Sequence, residues 1–573
     1  MSSASLTAAA PAEAAVPAQP AVLVQPAVPA QPAAPVQPAV LVRPAGPVPP
    51  AQPPAQRAEP EVSRKTWIAV IGSCLGAFLA ILNIQVVSSS LADIQGAIGT
   101  GVDEGGWIVT AYLVAEIIVI PISGWFARAF SLRIYLLAST FAFLVFTVAC
   151  TFATNLGQMI VLRALQGFAG GSLIPLAFLI IMTRLPPSKH PIGLTIYSVS
   201  AIFAPSIGPV IGGYCNDNFG WQSIFLINLV PGALMFAILW LSLDREPPQP
   251  RLLRQGDWFG IITMAVGLGS LETVLEEGNK DDWFGSAFIT RLSVIAAVAL
   301  VAFCIQQLLY GKPLLHLRLF ARRNFALGSI ANFFFGFSLY GWLYIVPVYL
   351  ARVQGYNAEE IGTVLIWIGL PQLVLLPLVP RLAKLMDPRR LVIAGYVLFI
   401  LGSLLASRLS GDFAGPQFIL SSLVRAVAQS VVMMPMTALA IAGIEREHAP
   451  SASALFNMVR NLGGAIGIAI LQTFLTKREQ YHSDVLTSQV SLLGEAARQR
   501  LRHMADFFMS HATADPSIAQ HEAAIATGRV LHRQALILGF SDTVIFQSAL
   551  LALALIAVCF FKKASAGPAG EAH

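Results

Sequence analysis

The sequence predicts an all-α polytopic membrane protein, and three observations lead to this fold class. Only 12% of the 573 residues are charged and 56% are hydrophobic, with a mean hydropathy of +0.69. A soluble domain carries about 25% charged residues, so most of this chain has no water to face. The apolar residues form runs of about 20, the length that crosses a bilayer as a helix. The positive charges fall in alternate connections between those runs.

Residues 1–62 lie outside this pattern. They repeat Pro, Ala, Val and Gln, and they contain neither a positively charged leader nor a continuous apolar core, so they do not look like a signal peptide. A segment of this composition cannot bury enough apolar surface to offset its ordering entropy. We therefore expect a disordered, partly polyproline-II tail, and docking to another molecule is an alternative role for it.

Apolar runs of membrane-spanning length recur from Trp67 onwards. Pro and Gly inside these runs are compatible with membrane helices, because neighbouring helices can satisfy the backbone groups that they free. Fourteen spans are predicted, near 67–90, 105–125, 134–154, 160–183, 192–214, 222–243, 258–275, 288–310, 324–350, 359–381, 390–408, 415–443, 453–475 and 540–561.

Lys and Arg in the short connections predict the orientation. Even-numbered connections hold sixteen of them, whereas odd-numbered connections hold four and are mildly acidic. Cytoplasmic loops carry the excess of positive charge, so both termini are predicted in the cytoplasm. The net charge of +6 is then a topology signal and needs no nucleic-acid partner.

One connection is long. Residues 476–539 are polar and rich in helix-forming residues, and the span count places them outside the cytoplasm. Long outward domains translocate largely regardless of charge. Two interpretations stay open, a solvated helical cap or a docking surface for a periplasmic partner.

Metal, redox and nucleotide chemistry find no support in the sequence. The five cysteines lie inside or at the edge of apolar runs without a CxxC pair, so we expect neither a disulfide framework nor a zinc site. The chain lacks a GxxxxGK[ST] phosphate loop, since its only Gly-Lys pair, Gly311-Lys312, is followed by Pro. We therefore expect no cofactor, no metal and no enzymatic activity.

Ionisable side chains at membrane depth are costly, so each one is a functional candidate. Glu116 is the most informative, because it is a carboxylate with apolar residues on both sides. Such a group can gain and lose a proton during a transport cycle. The alternative is a structural ion pair, for which Arg163 is the natural partner. Other polar residues at this depth are Asn83, Gln85, Gln166, Arg425, Gln429, Arg460 and Asn461.

Span 5 contains the strongest motif in the chain, a Gly/Pro string. Small residues let helices approach closely, and prolines interrupt the backbone hydrogen-bond ladder. The string therefore predicts a bent, tightly packed helix, suited to a pivot between two halves and to a seal against ion leak. Its residues include Pro205, Gly208, Pro209, Gly212 and Gly213.

These motifs resemble those of the major facilitator superfamily and, more narrowly, of the fourteen-span drug:proton antiporters of the EmrB/QacA type. Gly208-Pro209-x-x-Gly212-Gly213 is similar to that family's antiporter motif. Arg163-Ala-Leu-Gln166 begins a stretch similar to the span-4 motif whose arginine is implicated in proton coupling. Further similar stretches lie at 107–124, 220–232 and 476–482.

Two positions depart from the family pattern. The first cytoplasmic motif normally includes an Asp, but the stretch 124–133 contains Arg128 and Arg133 and no acid. The gating salt bridge assigned to that motif in relatives is therefore in doubt here. Asn83 stands where relatives often carry an Asp tied to coupling or to cationic substrates. A cationic preference is weakened, and Glu116 becomes the main membrane carboxylate.

The resemblance implies two six-helix bundles with two inserted spans, rocking around a midplane site. It also implies a periplasmic adaptor and an outer-membrane channel (EmrA/TolC-like) as partners. The chain then divides into a cytoplasmic tail (1–62), a first bundle (63–243), a linker with the inserted spans (244–310), spans 9–13 (311–475), a periplasmic loop (476–539) and the last span with its tail (540–573).

The leading hypothesis is a proton-coupled efflux transporter that exports amphipathic or aromatic compounds across the inner membrane. One alternative is an exporter of a single metabolite, a siderophore or an aromatic acid. Another is a non-transporting scaffold or sensor, which has no need of intramembrane charges. The predicted proton-coupling residues are Glu116 and Arg163. The predicted substrate-binding residues, for each of which core packing is the alternative, are Gln85, Gln166, Tyr340, Trp342, Tyr344, Met433 and Met434.

Overall fold

The computed structural model describes residues 62–311, 313–375, 378–445, 448–489, 494–511 and 515–561. The predicted disordered tail lies outside the described residues, apart from Val62.

We number the long helices in chain order: α1 (Arg64–Ser89), α2 (Trp107–Phe130), α3 (Leu132–Cys150), α4 (Leu156–Arg184), α5 (His190–Phe219), α6 (Leu229–Ser242), α7 (Trp258–Glu277), α8 (Ala287–Leu309), α9 (Arg323–Tyr349), α10 (Ala358–Leu375), α11 (Pro388–Leu405), α12 (Gly415–Ile441), α13 (Ala449–Gln489), α14 (Glu495–His511) and α15 (Pro516–Cys559).

Short helices fill several connections, and the part of the chain that the structure describes contains no strand. A π turn at Leu350–Gln354 continues α9. The short α-helices are Leu91–Ile98, Val102–Gly105, Ser223–Leu226, Arg251–Arg254 and Val379–Leu385, and the 3-10 turns are Pro187–Lys189, Trp283–Gly285 and Leu317–Ala321.

Most of the long helices suit a bilayer. Among the described residues, twelve helices are long and apolar enough to cross a membrane, and up to thirteen when the two arms of α5 count as one span. Their outer faces carry large apolar side chains, as on α8, where Val298 is 65% and Leu309 is 80% exposed. Such faces are stable against lipid and would associate in water. The chain is therefore an all-α multi-pass membrane protein, as predicted.

The predicted count of fourteen spans is not confirmed. The predicted span 359–381 corresponds to α10, which ends at Leu375 and is not among the twelve, and a separate short helix follows at Val379–Leu385. Pro371 lies inside α10, where it removes one backbone donor, and Pro380 lies in the first turn of the short helix, where a proline is tolerated.

The spans form two bundles. Helices α1 to α6 pack on one another, and so do α9 to α13 together with α15. The bundles meet where α5 contacts α10 and where α2 contacts α13. At the first contact, a Cβ on Gly362 would lie 1.9 Å from Cγ2 of Val210, so the two backbones approach as closely as they do because position 362 has no side chain.

The inserted pair, α7 and α8, lies beside the seam between the bundles. Helix α7 packs against α2 of the first bundle and α13 of the second. A Cβ on Gly269 would lie 3.1 Å from Ile118 Cδ1 and 3.4 Å from Val114 Cγ1 of α2. The connection after α7 is tied to α13, because Trp283 Nε1 donates to Thr473 Oγ1 at 3.0 Å. The inserted pair therefore contacts both bundles.

Helix α5 shows the geometry that its Gly/Pro string predicts. It bends by 44° between Ile192–Pro205 and Ile207–Phe219. A Cβ on Gly208 would lie 2.4 Å from Gln85 Cβ, and one on Gly212 would lie 3.0 Å from Val86 O, so the glycines seat α5 directly on α1.

Helices α13 and α15 are longer than the spans predicted at 453–475 and 540–561, and they cover much of the segment 476–539. An apolar run predicts how much of a helix lies inside the bilayer, but it does not predict where the helix ends. The helix can continue into water as a polar segment where a second helix packs against it. Asp542 of α15 accepts a hydrogen bond from Arg478 Nε at 2.6 Å and lies 2.8 Å from His482 Nε2. Helix α14 packs on α15.

Candidate transport site

Glycines of α4 bring its polar residues into contact with α2. A Cβ on Gly167 would lie 2.3 Å from Tyr112 O, and one on Gly171 would lie 2.8 Å from Glu116 Cα. Two helices at this distance exclude lipid and water between them. Arg163, one turn before Gly167, and Glu116, one turn after Tyr112, are therefore both buried.

Arg163 is fully buried and held by neutral groups. Its Nη1 donates to Asn83 Oδ1 and to Gln166 Oε1, both at 2.6 Å, and its Nε donates to Ile108 O at 3.1 Å. Its guanidinium lies 4.4 Å from the ring centre of Tyr112, a favourable cation–π distance. No carboxylate pairs with Arg163 in the described residues, so its positive charge is held by dipoles and by two aromatic rings, those of Tyr112 and Phe225.

Two of its partners are fixed in turn. Gln166 Nε2 donates to Thr147 Oγ1 at 2.8 Å, so this predicted substrate-binding residue is hydrogen-bonded to both Arg163 and α3. Asn83 is fully buried, and its Nδ2 has no hydrogen-bond partner.

Glu116 makes no ion pair with Arg163. The guanidinium lies beside Ile108, whereas Glu116 lies beside Gly171, eight residues further along α4. Eight residues of helix separate the two positions by about 12 Å along the axis. Glu116 is 9% exposed, and its Oε2 has no hydrogen-bond partner. The carboxylate is therefore buried without a counter-charge in contact.

The second bundle holds an arginine in the same manner. Arg425 of α12 is fully buried, donates to Ser403 Oγ and, at 3.2 Å, to Ser338 O. Its guanidinium lies 4.0 Å from the ring centre of Trp342 and 4.4 Å from that of Phe399. Trp342, predicted to bind substrate, is 1% exposed and packs on Arg425.

Side chains from both bundles meet between them. Arg460 of α13 lies within electrostatic range of the hydroxyls of Tyr197 on α5 and Tyr340 on α9. Tyr340 also lies within electrostatic range of Glu116. Tyr340 and Tyr344 are both only partly buried. Glu116 and Tyr340 were predicted as site residues, and the structure places them within electrostatic range of each other.

Carboxylates of α7 belong to the same region, although they were not among the predicted site residues. The predicted spans leave Glu276 and Glu277 in a connection, but both residues lie in α7. Glu277 accepts from Thr110 Oγ1 at 2.8 Å and pairs with Lys280. Glu272 is 5% exposed, and its Oε2 has no hydrogen-bond partner. A signal was available, because Glu272 interrupts an apolar run just as Glu116 does.

The remaining predicted substrate residues are spread out. Gln85 packs on Gly208 of α5. Tyr344, one turn after Tyr340, lies within electrostatic range of Glu276. Met433 is partly buried against the apolar core of the second bundle, and Met434 is partly buried beside it on α12. The structure thus brings together Glu116, Tyr340 and Tyr344 but places Gln166 and Trp342 inside separate bundles.

The described side chains offer no evident metal site, since no group of three or more His, Cys, Asp or Glu among them is arranged to hold an ion.

Two packed helical bundles, tyrosines between them and buried carboxylates without bonded partners are features of a membrane transporter. The protein-family model described as "Major Facilitator Superfamily" matches residues 73–468 of this chain. The chain is 30% identical over 480 residues to the colistin resistance protein EmrB of Acinetobacter baumannii, covering 84% of this chain and 93% of that protein. It is 30% identical over 528 residues to the multidrug export protein EmrB of Escherichia coli K12, covering 90% of this chain and all of that protein.

The fold agrees with these relationships. A bacterial homologue of the human lysosomal transporter Spinster, solved in an inward-facing and unoccupied conformation, aligns with a TM-score of 0.52 at 16% identity, covering 88% of this chain and 100% of that one. The chain belongs to the Major Facilitator Superfamily, as the span-4 and span-5 motifs predict.

Asn83→Asp tests how Arg163 is held. We expect the new carboxylate to stabilise the fold by about 1 kcal/mol or more, because it gives a buried cation a charged acceptor. The unfolding temperature of the purified protein in detergent should rise. Asn83→Leu is the matched control: it removes the acceptor and should lower that temperature. A lower unfolding temperature for Asn83→Asp, or an unchanged one for Asn83→Leu, would show that the stability of the Arg163 site does not depend on position 83.

Proposed function

We propose that this protein is a proton-coupled efflux transporter that exports amphipathic or aromatic compounds across the inner membrane. The observation that carries the proposal is Glu116, a buried carboxylate without a bonded counter-charge beside the seam between two bundles. The names of the two EmrB relatives, a multidrug export protein and a colistin resistance protein, support export as the direction of transport.

An unpaired carboxylate in an apolar surrounding is stable only when it holds a proton or a cation. If the bundles rock about the seam, the same group faces each side of the membrane in turn. Proton uptake from one side and release to the other then accompanies each cycle. Arg163 does not neutralise Glu116 by contact, so it acts as a fixed charge that organises α1, α2 and α4.

The lining of the seam suits aromatic and amphipathic molecules. Tyr340 and Tyr344 present apolar ring faces with polar tips, and Met433 adds an adaptable side chain. Such a surface binds varied ligands through contact area and a few polar groups.

We also propose that both termini are cytoplasmic and that the packed ends of α13 and α15, with α14, project into the periplasm. Large apolar side chains lie exposed on this extension, among them Tyr481 (54% exposed), Phe507 (57%) and Val530 (50%). Outside the bilayer, exposed apolar groups favour a docking surface over a solvated cap. A periplasmic adaptor that leads to an outer-membrane channel is the proposed partner.

Glu116→Gln tests the coupling. In vesicles energised by a pH gradient, we expect the wild-type protein to expel a fluorescent aromatic dye such as ethidium in exchange for protons. Glu116→Gln should reduce this export to background while leaving expression intact, because glutamine cannot carry the proton. Glu359→Gln, at an exposed carboxylate on α10, should behave as wild type. Antiport is refuted if collapsing the gradient leaves wild-type export unchanged.

A fusion experiment tests the orientation. Alkaline phosphatase fused after Arg500, in α14, should be active, because the enzyme folds only in the oxidising periplasm. A fusion after Gly311, in a connection predicted to be cytoplasmic, should be inactive. The reverse pattern would contradict the proposed topology.

A further inference from the structure

The inserted helix α7 occupies a position from which it can reach the transport site. It lies against α2 and α13, one helix from each bundle. Thr110 of α2 donates to Glu277 at one level, and Gly269 faces Val114 and Ile118 about two turns away. Glu272 lies between these two levels along α7.

The surroundings of Glu272 contain acids and no bonded cation. Glu116 of α2 and Glu276 of α7 both act on Glu272 electrostatically. The nearest lysine, Lys280, already pairs with Glu277. On α8, the titratable Arg291 and Cys304 are exposed. Glu116 itself lies within electrostatic range of Arg163 of α4, Tyr112 of α2 and Tyr340 of α9. Tyr344 of α9 lies within range of Glu276, and Arg460 of α13 lies within range of Tyr340.

Glu116 and Glu272 therefore share two properties. Both are at least nine-tenths buried, both have an Oε2 atom without a hydrogen-bond partner, and they come from two different helices. Burying two unpaired negative charges near each other is costly, so the pair favours states in which a proton is bound. A purely structural carboxylate would be expected to have a donor, as Glu277 has in Thr110.

We propose that Glu272 is a second proton-binding carboxylate of the transport site, so that the inserted helix takes part in coupling and does not merely connect the bundles. The inference rests on the proposed antiport function. The proton leaves bulk solvent for the Glu272 carboxylate on one side of the membrane and returns to water on the other, with no other reactant.

Carbodiimide labelling tests the site without a substrate. Dicyclohexylcarbodiimide reacts with protonated carboxyl groups in apolar surroundings: the acid O–H adds across one C=N bond, and the O-acylisourea rearranges to a stable N-acylurea. In the purified full-length protein, we expect modification of Glu116 and Glu272 that decreases as the pH is raised, and none at Glu277. Modification of Glu116 but not of Glu272 at any pH overturns the proposal.

Transport by Glu272→Gln tests the role. In the pH-gradient vesicles, we expect export of ethidium to fall by about 100-fold or more, the order of a lost proton-transfer group, while downhill equilibration of the dye continues. Glu277→Gln is the matched control, because glutamine can still accept from Thr110, and it should export as wild type. Wild-type export by Glu272→Gln refutes the role.

The two experiments separate the hypotheses. If wild-type vesicles show no export driven by the pH gradient, the antiport function fails, and the proposal for Glu272 falls with it. If the wild type exports but Glu272→Gln is unimpaired and Glu272 is unlabelled, the antiport function stands and only the role of α7 is refuted.

Discussion

The cost of charge inside a bilayer governs this structure. Two fully buried arginines, Arg163 and Arg425, are accommodated by carbonyl oxygens, neutral side chains and aromatic ring faces within their own bundles. The carboxylates Glu116 and Glu272 receive no such support. These two cations are thus fixed inside their own bundles, whereas Arg460 and the unpaired acids lie where the bundles meet. That distribution separates the groups that organise the bundles from those free to exchange a proton.

Close contacts between helix backbones allow the buried arginines and the unpaired carboxylates to occupy different parts of the structure. Gly167 and Gly171 bring α4 onto α2, Gly208 and Gly212 bring α5 onto α1, and Gly362 brings α10 onto α5 across the seam. Where two helices meet at glycines, few side chains interlock, so bundles that meet in this way can move as units. The bend in α5 lies within the same string and places a flexible point at the seam.

Much of the fold follows from the sequence, because the bilayer imposes a length and a charge rule on each span. The family followed from Arg163 and the Gly/Pro string. The ends of α13 and α15 could not be predicted, since helix pairing in water depends on contacts such as Arg478 with Asp542. The site was only partly predictable. Glu116 and Tyr340 lie within electrostatic range of each other, but the contacts of Gln166 and Trp342 with buried arginines depend on which helix faces which. Glu272 was missed because it lies near the end of a span assigned to a linker.

Proton release on ligand binding shows directly whether the unpaired carboxylates at the seam carry exchangeable protons. Purified protein in weakly buffered detergent solution near neutral pH is mixed with ethidium, and the released protons are counted with a pH-indicator dye. If unpaired carboxylates at the seam carry protons that the ligand displaces, binding should release about one to two protons per protein, since two such carboxylates, Glu116 and Glu272, interact electrostatically. Saturable binding with no proton release across the mildly acidic to mildly alkaline range would contradict the account.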